Sequence, residues 1–181
     1  MITLGAAARS PYRTIIRGVL RAVGSAAALV VVYYVLPLDR APAWVAITTL
    51  VIGLVGLIVL VAFQVRLITR SPFPGVRALE ALATSLPLFL LLFASSYVVM
   101  AMLSAANFGQ KLTHTDALYF TVTVFSTVGF GDITPKTQAA RLVVTGQMVA
   151  DLIILGLGAR VILGAVTRAR QRQPGNSRPG G

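Results

Sequence analysis

Four long apolar runs govern what this chain can fold into. They cover about residues 19–38, 43–65, 79–106 and 139–166. Each approaches or exceeds the roughly 20 residues an α-helix needs to cross bilayer hydrocarbon. Arg21 stands at the start of the first run and Glu80 at the margin of the third, while Asp151 and Arg160 interrupt the fourth; the second carries no charge. Only 12% of the 181 residues are charged and 56% are apolar, whereas soluble domains carry about a quarter charged residues. Apolar surface in such excess needs lipid. The chain therefore reads as an all-α integral membrane protein with four transmembrane helices.

The formal charge of +11 fits a nucleic-acid binder in size but not in placement, because the basic residues sit at the ends of apolar runs. That is the pattern that sets membrane topology, and nucleic acid is not an expected partner. Arg9, Arg13, Arg17 and Arg21 precede the first helix core. Arg66, Arg70 and Arg77 lie between the second and third runs, and Arg160, Arg168, Arg170, Arg172 and Arg178 lie at the end of the chain. The opposite side holds only Arg40, Lys111, Lys136 and Arg141. The bias puts both termini in the cytoplasm of a multi-pass protein of the cell membrane. The first run, followed by Ala41–Pro42–Ala43, loosely imitates a signal peptide, but its apolar core is long for one; an uncleaved helix is expected. There is no cysteine, and His114 is the single histidine, so neither a disulfide framework nor a multi-histidine metal site is available within one chain.

Between the third and fourth runs, Thr113 to Ser126 (THTDALYFTVTVFS) begins with a capping-box pattern, Thr113 and Asp116. About ten apolar residues follow. At 1.5 Å per residue they reach only about halfway through the bilayer, which predicts a re-entrant helix. The next stretch, STVGFGDITP from Ser126, is a poor membrane helix and would return to the outer surface as extended chain. Such backbone is tolerated at membrane depth only where protein buries it or it lines a water-filled path. With some residues at positive φ, Thr127, Val128, Gly129 and Phe130 can aim successive carbonyls at one axis; Gly129 and Gly131 are spaced to help.

The segment TVGFGD, within ALYFTVTVFSTVGFGDITPKTQAARLV, resembles the selectivity-filter signature of potassium channels, most of all the pore of bacterial ones. The resemblance covers roughly residues 79–166 and implies an outer helix, a pore helix, a filter and an inner helix. It implies potassium ligands in the carbonyls of Thr127, Val128, Gly129 and Phe130 and the Thr127 hydroxyl, with Gly131 and Asp132 as filter support. One filter per chain is a quarter of a ring, so a homotetramer is implied, as is passive, potassium-selective conduction with no cofactor beyond the permeant ion and no enzymatic activity. The alternatives are a nonselective cation channel and a non-conducting scaffold or accessory subunit. The remaining divisions are a basic arm over residues 1–18, two peripheral helices over 19–68, and a tail over 167–181 whose Gly, Pro and Arg content predicts disorder.

Four departures from the family pattern stand out. Phe130 occupies the usual tyrosine position and loses its hydroxyl. Thr123 stands where several bacterial members place a glutamate that pairs with the aspartate after the filter, leaving Tyr119 as a substitute donor for Asp132. Asp151 falls near the usual inner-helix hinge glycine, one turn after Gln147. An ionisable residue at membrane depth is a functional candidate. Asp151 is expected either to border the cavity in a ring of four, inviting block by Mg²⁺ or polyamines, or to be buried against Ser95, Ser96 or Thr145. Gly156 and Gly158 are then the candidates for inner-helix flexibility. Finally, no helix carries arginine at every third position, so conventional voltage sensing is not expected.

The first two helices are expected to pack around the pore, with Gly53 and Gly56 allowing close approach. The arginines of the arm recur every fourth residue and are read as a topology anchor, with anionic-lipid binding as the functional alternative. Glu80 is expected to pair with Arg77 at a helix end, and His114 to be a solvated residue of the pore-helix cap.

Overall fold

The computed structural model describes residues 11–38, 41–69 and 74–171; the part of the basic arm before Pro11 and the tail from residue 172 lie outside them. Helix α1 spans Pro11–Val35, α2 Ala43–Thr69, α3 Pro74–Leu103, α4 His114–Phe125 and α5 Gln138–Gln171, with a 3-10 turn at Ala105–Asn107. Among the described residues there is no strand. Three helices are long and apolar enough to cross a membrane, over Ala43–Leu67, Glu80–Leu103 and Gln138–Arg160. The apolar part of α1 is confined to Val23–Val35, about 20 Å of helix against a hydrocarbon core of about 30 Å. Basic residues at 13, 17 and 21 shorten it from its N-terminal end.

Helix α3 is the hub, packing against α1, α2, α4 and α5. Its C-terminal half contributes Tyr97, Val98, Val99 and Ala101 to the core, where Phe108, Phe120, Ala140 and Val144 join them. Tyr97, Phe108 and Phe120 meet edge to face with ring centroids 5.1–5.8 Å apart, the arrangement that ring quadrupoles favour. Along α2 and α3, Gly53 sits so close to Leu92 that an added Cβ would lie 2.6 Å from the leucine Cδ1. Close approach is therefore real at Gly53. Gly56 faces open space and contributes nothing to it. Toward the C-terminal end of α2 the same two helices are joined by polar groups: Gln64 Nε2 donates to Thr84 Oγ1 at 2.8 Å, and Ser85 Oγ donates to Gln64 Oε1 at 2.6 Å.

The loops that hold the site are pinned by side chains. The capping box forms as its sequence predicts: Asp116 N–H donates to Thr113 Oγ1 at 3.2 Å and Thr113 N–H to Asp116 Oδ2 at 3.0 Å. After α3, Asn107 accepts Lys136 N–H on its carbonyl at 2.8 Å and the Thr137 hydroxyl on its Oδ1 at 2.6 Å, while its Nδ2 donates to the Met100 carbonyl. Thr137 in turn caps α5 by accepting Ala140 N–H. One asparagine thus ties the end of α3 to the start of α5, and the segment from Ser126 to Pro135 hangs between fixed points.

Candidate functional site

Helix α4 has 12 residues, about 18 Å at 1.5 Å per residue, and cannot cross the bilayer. Its C-terminus feeds directly into the TVGFGD segment. Helix ends leave carbonyls without intrahelical partners, and here the following backbone supplies the donors. Ser126 N–H bonds Val122 O, Thr127 N–H bonds Val124 O, and both Val128 and Gly129 N–H bond Thr123 O at 3.1 and 3.2 Å. With its amides turned back onto α4, the segment has its carbonyls left over. Those of Thr127, Val128, Gly129 and Phe130 accept no hydrogen bond among the described residues, and every residue from Ser126 to Asp132 is exposed.

The backbone alternates in handedness. Thr127, Gly129 and Gly131 have φ of +60°, +52° and +81°, while Val128 and Phe130 stay on the negative side. Alternation of this kind turns successive N–H groups to one side of the chain and carbonyls to the other. Glycine adopts positive φ freely. A β-branched threonine does not, and its presence at +60° marks stored strain. Sequence reasoning anticipated the two glycines and missed Thr127, because propensity argues against it.

The aromatic and acidic groups around this segment are partly as expected. Phe130, 70% exposed, stacks on Tyr119 with centroids 6.2 Å apart and planes 6° from parallel. The Asp132 carboxylate neighbours the Tyr119 phenol. Thr123 is buried, its hydroxyl donating to Phe120 O at 2.9 Å, and it enters the site through its carbonyl rather than its side chain.

Of the two placements open to Asp151, the structure shows the buried one: it is 3% exposed and turned into the packing of its own chain. The reason lies in the helix period: among the described residues of α5, the buried ones are Ala140, Val144, Gln147 and Asp151, spaced three and four apart on one face. The side chains expected to satisfy it do not. Ser95, Ser96 and Thr145 bond carbonyls one turn back, at Leu91, Leu92 and Arg141. Its partner is Gln147, whose Nε2 donates to Asp151 Oδ2 at 3.2 Å. Helix α5 runs unbroken through Gly156 and Gly158; the first is open and the second lies against Leu82.

His114 is also placed differently from its expectation. It is half-buried between Tyr33 and Tyr34, 5.1 and 6.3 Å between ring centroids. The Tyr33 hydroxyl donates to the His114 carbonyl at 2.6 Å, and His114 Nε2 lies 3.2 Å from the Leu36 carbonyl. A carbonyl only accepts, so Nε2 carries the proton. The end of α1 is thereby clasped to the start of α4, across 81 residues of sequence that give no local signal of it.

A family model described as ion channel matches residues 86–168, slightly under half of the chain. Among similar proteins, a potassium channel protein of Paramecium bursaria Chlorella virus 1 is 46% identical over 52 residues, 29% of this chain and 55% of its own. A hyperpolarization-activated voltage-gated potassium channel of Methanocaldococcus jannaschii is 38% identical over 65 residues, covering 36% and 31%. Potassium channel subfamily T member 1 of Gallus gallus is 35% identical over 68 residues, covering 38% and 6%. The chain thus spans about half the length of these relatives, or less. No solved structure matches it significantly.

Proposed function

We propose that the chain is one subunit of a tetrameric potassium-selective channel that conducts K⁺ passively across the cell membrane. The observation that carries this reading is the segment 127–130, in which the amides of Thr127, Val128 and Gly129 bond back to α4 while the carbonyls of all four residues stand exposed and unbonded. Four such segments around one axis form stacked rings of oxygens that replace the water shell of a dehydrated cation. The names of the similar proteins, all potassium channels, support the choice of ion.

In this reading α3, α4 and α5 form the pore unit and α2 crosses the membrane beside it. Helix α1 completes a fourth crossing by extending its short apolar part with basic residues that snorkel to the headgroups. Both termini are cytoplasmic, on the positive-inside bias. Asp132 and Tyr119 brace the outer mouth, Phe130 replaces a hydroxyl anchor with ring packing, and K⁺ is the permeant ion, with no cofactor assigned. The burial of Asp151 in its own chain supports a packing role for it over a carboxylate ring in the cavity and block by Mg²⁺ or polyamines there.

Purified protein in liposomes tests the reading. K⁺ uptake well above Na⁺ uptake is expected. Equal uptake of the two ions refutes potassium selectivity in favour of a nonselective cation channel, and no uptake of either refutes conduction.

A further inference from the structure

Gln147 is fully buried in a helix otherwise made for an apolar setting, and three different partners use its amide. Its Oε1 accepts the Tyr97 hydroxyl of α3 at 2.6 Å. Its Nε2 donates to the Thr121 carbonyl of α4 at 3.1 Å and to Asp151 Oδ2 of α5 at 3.2 Å. The orientation of the amide is fixed by these partners: turned over, it would set its oxygen against a carbonyl and a carboxylate, both of which only accept when ionised. Tyr97 is the key that locks it, since its hydroxyl supplies the one donor. Asp151 Oδ1 has no partner and is the only buried side-chain polar atom in that state among the described residues. A buried polar group left unpaired is costly, and Asp151 carries that cost beside Gln147.

The site of attachment matters. Thr121 lies two residues before Thr123, whose carbonyl receives the Val128 and Gly129 amides. Thr121 is itself locked, its hydroxyl donating to Ala117 O at 2.8 Å. Gln147 therefore grips the turn of α4 from which the carbonyl-presenting segment is hung. We propose that Gln147 is a positioning residue for the ion-coordinating carbonyls, held in register by Tyr97 and Asp151, so that the spacing preferred by the filter is set from the inner helix. The proposal rests on the reading of 127–130 as a potassium filter.

The test is the Rb⁺/K⁺ uptake ratio of full-length protein in liposomes, because discrimination between two similar ions reads cage geometry and not the amount of folded protein. Gln147→Glu keeps the acceptor for Tyr97 and, when ionised, removes both donations. Tyr97→Phe keeps the ring packed on Phe108 and Phe120 and removes only the hydroxyl, so it remains informative if the first variant fails to fold. Coupling of residues to a distant site is worth about 0.5–2 kcal/mol, so each variant is expected to shift the ratio by about two- to thirtyfold. Gln64→Leu, which disrupts a part-buried amide network between α2 and α3, is expected to leave the ratio unchanged. A wild-type ratio in both Tyr97→Phe and Gln147→Glu, or in Tyr97→Phe alone where Gln147→Glu does not fold, overturns the proposal. An equal shift in Gln64→Leu does the same. Failure of the parent reading looks different: the unmodified protein would not distinguish K⁺ from Na⁺ at all.

Discussion

Replacing Gly129 by alanine isolates the backbone physics of the site. In the structure Gly129 has φ of +52° and an added Cβ meets nothing within 4 Å of it inside the chain. The substitution therefore costs through conformation and not through collision with its own subunit. An L-residue held in left-handed backbone loses about 1–2 kcal/mol, and four copies in a ring lose about 4–8 kcal/mol together. At 1.4 kcal/mol per tenfold, the population with all four segments correctly set falls by about three to six orders of magnitude. The alanine protein should assemble and pass no measurable K⁺ in a liposome uptake assay. Semisynthetic D-alanine at the same position has its steric preference inverted, so it accepts φ of +52° and should retain K⁺ uptake. The reasoning is refuted if L-alanine conducts as well as glycine, or if both enantiomers abolish uptake equally.

Other substitutions test separate parts of the account. Asp151→Asn is expected to leave any block by internal Mg²⁺ or spermine unchanged, because the carboxylate is buried; relief of block in patch recordings would return it to the cavity. Asp116→Ala removes half of the capping box and should cost about 1 kcal/mol, read as a lower thermal midpoint of the purified protein; an unchanged midpoint would mean the box does not hold α4. Tyr33→Phe deletes the hydroxyl that reaches the His114 carbonyl and should cost about 0.5–1.5 kcal/mol by the same assay, with no loss if α1 is not clasped to α4.

Much of the pore-like half was legible because its signals are local. Thr113 and Asp116 announce the start of α4 three residues apart, and the glycines at 129 and 131 stand where the backbone turns left-handed. The apolar runs of α2, α3 and α5 carry their own length criterion. What escaped depends on contacts between distant residues. Nothing near Tyr97 in sequence indicates that its hydroxyl will meet Gln147 fifty residues on, although a tyrosine hydroxyl at membrane depth does demand some partner. Asp151 was read from its depth, whereas its direction follows from its phase with Ala140, Val144 and Gln147. Thr127 shows the opposite case: its propensity is clear, and the amide bonds from 127–129 to α4 override it.

The most direct measurement is the density of K⁺ or Rb⁺ in an experimentally determined structure of the assembled protein in lipid. The account predicts a fourfold assembly with a column of ion density on its axis, ringed at each level by the carbonyls of Thr127, Val128, Gly129 and Phe130. An assembly without fourfold symmetry, or one whose carbonyls at those residues point away from the axis, contradicts it.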